Sequence, residues 1–192
     1  MISRDLVTWL VVAGGVTFIV FANLAQQRAI GRRQPTVRLA TGVAQWLPYF
    51  LWMPYVVVGA RIGPELDVGD GWRALGIGIS LLGVAIALWS IVTLGRHYDL
   101  VLEIHADHQL VRGGPFAMVR HPVYSGLALH FVGACVATGN VVLAAGTLLV
   151  TFPSFWIRAR AEEVLLRERF GGEYDRYARE VPMLVPRVGG KR

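Results

Sequence analysis

The run "HPVYSGLALHFVGACVATGNVVLAAGTLLVTFPSFWI", residues 121–157, extends for 37 residues without an Asp, Glu, Lys or Arg. A helix crosses a bilayer core with about 20 apolar residues, so this run is too long for one crossing. It is interrupted near its middle by Thr138, Gly139 and Asn140, a turn signal. We read it as two short helices, 122–138 and 141–157, folded into a hairpin. Both ends of the run are polar, with Arg120, His121 and Tyr124 at its start and Arg158, Arg160, Glu162 and Glu163 just past its end. Adjacent antiparallel helices set those ends side by side. Charge near hydrocarbon is costly unless it is paired or used, so the convergence of cations, an imidazole, a phenol and two carboxylates is a stronger signal than either end alone.

Outward from the hairpin, three more uncharged runs have the length of single spans: 6–27, 39–60 and 74–95. The expectation is one all-α membrane domain over residues 1–192, a bundle of five transmembrane helices. With 54% hydrophobic and 17% charged residues among 192, the composition is too apolar for an ordinary soluble domain. The first run is too long for a signal peptide and lacks a small-x-small cleavage site, so it reads as a retained span. Trp46, Pro48, Trp52, Pro54 and Tyr55 make the second irregular and aromatic. The loop after the first run holds Arg28, Arg32, Arg33 and Arg38, while the loop after the second balances Glu65, Asp67 and Asp70 against Arg61 and Arg73. The positive-inside rule then sets the first loop in the cytoplasm and the N-terminus outside. Counting onward, 95–120 and 158–192 face the cytoplasm. The former alternates weakly around His105 and His108 and reads as a loop with room for a short hairpin. The latter reads as a helical cap over 158–181: a charged amphipathic helix ended by Gly171 and Gly172, then a short helix with Tyr174, Tyr177 and Val181 on one face, stopped by Pro182.

Each polar feature also has a plain explanation. Arg120 suits a positive-inside anchor, Pro122 a first helical turn, and Tyr124 an interfacial aromatic belt. Equally, an Arg and an imidazole at a helix N-terminus make a pocket for a carboxylate or another anion. The run from Arg158 to Arg169 contains i,i+4 pairs that a solvated helix face would use. One cysteine, Cys135, provides neither a disulfide framework nor a zinc cluster. His105 and His108 lack a second ligand group, and His130 reads as a packed core residue, so no metal centre is expected. Gly76, Gly78 and Gly83 lie inside a span with no strand before them and signal close helix packing, not a nucleotide fingerprint. The net charge of +6 comes from residues that flank spans without forming a stripe among exposed aromatics, which speaks against nucleic acid.

Taken together, "DHQLVRGGPFAMVRHPVYSG", the apolar hairpin, and "RARAEEVLLRERFGGEYDRYAREVPMLVP" resemble the isoprenylcysteine carboxyl methyltransferase family, together with the related phospholipid methyltransferases. The resemblance covers the C-terminal half, with Phe116 where the family often has Tyr. It implies an integral membrane enzyme that binds S-adenosylmethionine on the cytoplasmic side, releases S-adenosylhomocysteine, and methylates a lipidic or isoprenoid acceptor drawn from the bilayer. By resemblance, Arg120, His121, Pro122, Tyr124, Glu162, Tyr174 and Tyr177, with Leu110 and Val111, would enclose the cofactor. Arg158, Arg160 and Glu163 would stand nearest the reacting groups, with the division of roles between the two Arg and the two Glu open to one residue. A carboxylate acceptor needs no general base, whereas an ethanolamine ammonium would first have to lose a proton to Glu163 or His121. Sterol or steroid reductases that use NADPH share a His-Pro-x-Tyr element but usually carry an Arg-Asp pair where this chain has Glu162 and Glu163. A lipid-binding scaffold without catalysis is the alternative from outside the enzymes.

Overall fold

Uncharged stretches set the long helices. The structure, a computed structural model, describes residues 2–30, 35–38, 63–98, 103–105 and 109–187; the expected second span, 39–60, with its Trp and Pro residues, lies outside the described residues. Helix α1 covers Arg4–Ile30 and α2 covers Asp70–Leu94, each with an Asp in its first turn, where carboxylates favour the helix dipole. They run in the same direction. At one end the Ile2 N–H donates to Asp70 Oδ1 over 2.9 Å and Arg4 pairs with Glu65. Farther along, Phe18 and Ala22 pack against Ala87, Ile91 and Tyr98.

The hairpin follows as α3, Pro122–Thr138, and α4, Val141–Phe170. Its turn is built by the residues that signalled it. Gly139 adopts φ 64°, a left-handed conformation suited to glycine, and the Asn140 side chain accepts the Leu143 N–H over 2.8 Å to cap α4. The segment before α2 straps this tip, with Leu66 N–H donating to the Gly139 carbonyl at 2.9 Å and Val141 N–H to that of Pro64 at 3.1 Å.

Two expectations change. The expected fifth span and the charged helix after it are one continuous helix, because Arg158, Ala159 and Ala161 are good helix formers and no Gly or Pro falls between Ser154 and Phe170. Its winding loosens to π-helix over Thr147–Thr151, just ahead of Pro153, which lacks the N–H that the Leu149 carbonyl would accept in an α-helix. The fold is also not purely helical: β1, Pro35–Arg38, pairs antiparallel with β2, Glu103–His105. The short hairpin anticipated within the loop after α2 is not what the described residues form: the strand in that loop pairs with one in the loop after α1, which places both loops on one side of the bundle. Helix α5, Gly172–Glu180, follows Gly171 at φ 51° and buries Tyr174 and Tyr177.

The tightest packing joins α2 to α3. A Cβ at Gly83 would lie 2.4 Å from the His130 backbone nitrogen, and one at Gly133 would lie 2.3 Å from that of Ser80. These backbones therefore touch, as membrane helices do when small residues recur at the crossing. Gly76 is part of this contact, whereas Gly78 faces open space. His130 is fully buried there, its Nδ1 2.8 Å from the Ser80 hydroxyl, in the core position expected of it. Cys135 is half-buried beside Thr147.

Candidate active site

Where α3 begins and α4 turns polar, the two helix ends meet. His121 is the N-cap residue of α3, and Pro122 opens the helix with the fixed φ that a first turn needs. Arg120 donates from Nε to Glu163 Oε1 at 2.8 Å, and its Nη2 pairs with the same oxygen. Arg120 Nη1 donates to the carbonyls of Ala178 at 2.9 Å and Val181 at 2.5 Å, so one guanidinium ties α4 to the end of α5. Glu163 is 1% exposed. A buried carboxylate of this kind is tolerable only with its cation in place.

His121 lies between the carboxylates, Nδ1 3.3 Å from Glu162 Oε2 and Nε2 3.6 Å from Glu163 Oε1. Burial alone would lower its pKa, but the two facing carboxylates outweigh that and hold the imidazole above its ordinary value. The Tyr124 hydroxyl donates to Glu162 and accepts from Arg158 Nε at 2.7 Å. Arg158, Tyr124, Glu162, His121, Glu163 and Arg120 thus form one connected chain of polar contacts across the helix ends.

The cap is held from several sides. The Tyr177 hydroxyl donates to the Phe116 carbonyl at 2.6 Å, and burial pushes its phenol up to about 12. Burial and the Glu163 carboxylate push the Tyr174 phenol up as well. Arg112 donates to the carbonyl and carboxylate of Glu173 at 3.1 and 2.9 Å and lies over the Tyr177 ring. After α5 the chain passes back under α3. The Pro182 and Met183 carbonyls accept the backbone N–H groups of Arg120 and His121 at 2.8 and 3.0 Å, and the Leu184 carbonyl accepts the Ser125 hydroxyl at 2.6 Å.

Beside this cluster, a groove of about 850 Å³ runs between α3 and α4, lined by Tyr124, Leu129, Leu148, Phe155, Trp156 and Leu184 among others. Tyr124 belongs to both the apolar wall and the polar chain. Phe155 stacks on Tyr124 with ring centres 5.7 Å apart, and Phe131 backs Phe155 edge-on at 6.2 Å.

Of the residues singled out from sequence, the structure brings together Arg120, His121, Tyr124, Arg158, Glu162 and Glu163, with Pro122 opening α3 and Tyr174 and Tyr177 beneath them. Leu110 and Val111 are half-buried in the segment leading to Arg112. Arg160 is not brought in: two residues past Arg158 it points to another face of α4, exposed, over the Trp156 ring. Sequence reasoning missed Arg112, Ser125, Phe155, Leu184 and Val185. The only hint for the last two is the proline following α5, which marks the end of a helix and not where the strap then docks.

This arrangement has relatives. The phospholipid methyltransferase family model matches residues 72–173. A probable protein-S-isoprenylcysteine O-methyltransferase of Oryza sativa subsp. indica is 31% identical over 184 residues, covering 93% of this chain and 95% of the rice protein. The nickel-cobalt-cadmium resistance protein NccN of Alcaligenes xylosoxydans xylosoxydans is 33% identical over 135 residues, covering 69% of this chain and 61% of its own. The fold is similar to that of the eukaryotic intramembrane Ras methyltransferase, with a TM-score of 0.58 at 24% identity, covering 78% of this chain and 52% of the solved one, so this chain spans about half that enzyme's length. With three long apolar helices among the described residues, the chain is an integral membrane protein of the isoprenylcysteine carboxyl methyltransferase family and its phospholipid methyltransferase relatives, and it is a methyltransferase.

Proposed function

We propose that this chain methylates the carboxylate of a lipidic or isoprenoid acid with S-adenosylmethionine, releasing S-adenosylhomocysteine, at the cytoplasmic face of the membrane, with the N-terminus outside. The observation that carries this reading is Tyr124, which lines an apolar groove and hydrogen-bonds both Arg158 and Glu162. A molecule lying in that groove has hydrocarbon along its length and an Arg at its head. A carboxylate on a long apolar tail has that chemistry.

The residues present fit the cofactor. Glu162 is a partly exposed carboxylate for an ammonium, and Leu110 and Val111 offer half-buried apolar surface for a base. The Tyr174 hydroxyl is buried without a hydrogen-bond partner among the described residues, and His121 Nε2 and Glu163 Oε2 have only ion-pair contacts, at 3.6 Å to Glu163 Oε1 and 3.7 Å from Arg167 Nη2, which leaves polar capacity on this side of the cluster. When bound, the cofactor supplies a methyl group activated by a sulfonium. Arg158 orients the acceptor carboxylate, which is already ionised, so alignment and water exclusion carry the rate and no side chain has to remove a proton. The Arg120–Glu163 pair and His121 act as positioning residues: they hold Glu162 and the α5 cap without reaching the groove. An ammonium acceptor would first have to lose a proton to Glu163 or His121, and both are buried, with Glu163 held by Arg120.

The test is methyl transfer by the purified protein in lipid from labelled S-adenosylmethionine, offered a prenylated cysteine, a free isoprenoid acid or phosphatidylethanolamine. The rice relative is named for the first of these acceptors. We expect label in a base-labile ester on an acid. Label on the amine alone, or neither transfer nor binding of S-adenosylhomocysteine, would overturn the reading.

A further inference from the structure

Arg160 takes no part in the polar cluster. Its guanidinium carbon lies 5.7 Å from the centre of the Trp156 ring, and it has no hydrogen bond or ion pair among the described residues. Its helical neighbours explain why. Four residues away on either side stand Trp156 and Val164, and three away stand Ile157 and Glu163, the last buried and bound to Arg120. No carboxylate on α4 is available to it.

The surface around Arg160 is apolar on both sides. Ile157 is 67% and Val164 51% exposed, and Trp156 and Leu149 continue the stripe toward the membrane interior. In water this stripe would leave large apolar side chains exposed, and in hydrocarbon it would carry an unpaired cation at a cost of several kcal/mol. The headgroup layer satisfies both requirements. An Arg lying over an indole, with no other partner, keeps its N–H groups available for two parallel hydrogen bonds, which suits phosphate oxygens.

Trp156 is also a wall of the groove. A lipid with its phosphate on Arg160 would lay its chains along Trp156 and Ile157, at the groove's mouth. We propose that Arg160 and Trp156 form a binding site for the phosphate of an anionic bilayer phospholipid beside the groove. This site is separate from the methyl-transfer cluster and does not depend on which acceptor is used.

Native mass spectrometry of the full chain, titrated in detergent with phosphatidylglycerol or phosphatidylcholine, reads the dissociation constant of the first lipid bound. Phosphatidylglycerol should bind more tightly than phosphatidylcholine. Arg160→Gln should weaken phosphatidylglycerol binding about fivefold, the contribution typical of one basic residue at an anionic surface, and Arg160→Lys should retain part of it. Arg179→Gln, a change to an exposed cation on α5, should leave it unchanged. Equal affinity for the two lipids in the unaltered protein, no effect of Arg160→Gln, or the same loss with Arg179→Gln would overturn the site. Displacement of the lipid by millimolar inorganic phosphate would overturn its assignment to a lipid.

Discussion

Two histidines nine positions apart in sequence show how partners decide what a buried imidazole does. His130 is fully buried where α2 and α3 touch, and its ring meets a neutral serine hydroxyl. His121 is 5% exposed, and its ring lies between two carboxylates that are themselves held by Arg120, Arg158 and Tyr124. Burial is nearly the same. The first histidine belongs to a region that works by shape, with backbones in contact through Gly76, Gly83, Gly126 and Gly133. The second belongs to a region that works by charge, where each group is tolerable only because of the next. Loss of one member should be severe and nonadditive in the charged region, and modest in the other unless backbone contact is disturbed.

The largest expected effect is at the ion pair. Arg120→Ala leaves the buried Glu163 with only the longer contacts to His121 and Arg167, at 3.6 and 3.7 Å, and should cost about 3–5 kcal/mol, read as a collapse of the melting transition in detergent. Pairing it with Glu163→Leu should recover much of that loss. If the double variant were no better than the single, the charge would not be the cause. Next comes the shape-dependent region. Gly83→Ala puts a methyl 2.4 Å from the His130 backbone nitrogen and should cost about 1–3 kcal/mol through overpacking, whereas Gly78→Ala, in open space, should be neutral in the same melt.

Phe155 tests whether the groove and the polar cluster are coupled. It lines the groove and stacks on Tyr124, so Phe155→Ala should lower kcat and raise the acceptor KM while leaving the affinity for S-adenosylhomocysteine unchanged. A fall in melting temperature with both kinetic constants intact would reduce it to a packing residue.

Smaller still is the response to pH. His121 has a raised pKa in the folded protein, so its stabilising contribution is complete below the ordinary imidazole value of 6.5 and is lost as the pH rises through the folded value. Melting temperature should therefore fall over that interval, and His121→Gln should flatten the fall. The smallest effect belongs to Ser80→Ala, which removes the hydrogen bond to His130 and should cost about 0.6 kcal/mol, the average for a polar contact between membrane helices.

Much of the hairpin could be read directly. An uncharged run of 37 residues with Thr138–Gly139–Asn140 in its middle admits two crossings and one turn, and Gly139 and Asn140 make that turn. The convergence of Arg120, His121 and Tyr124 with Arg158, Glu162 and Glu163 follows from antiparallel neighbours. Less was legible within adjacent pairs. Successive helical residues point about 100° apart, so Arg158 reaches Tyr124 while Arg160 faces outward, and Glu163 is buried against Arg120 while Glu162 meets Tyr124. Spacing alone is silent on which face of α4 meets α3.

The sequence by itself determined that this is a membrane protein, where its final hairpin turns, and which residue types gather at one end. Local rules suffice for these: the thickness of hydrocarbon, the cost of charge within it, and the conformational freedom of glycine. Only the tertiary structure decided which arginine meets Tyr124, that the strands Pro35–Arg38 and Glu103–His105 pair across two separate loops, and that Leu184 and Val185 return to wall the groove. These depend on helix rotation and on contacts between residues far apart in the chain, which no local rule of spacing or turn chemistry specifies.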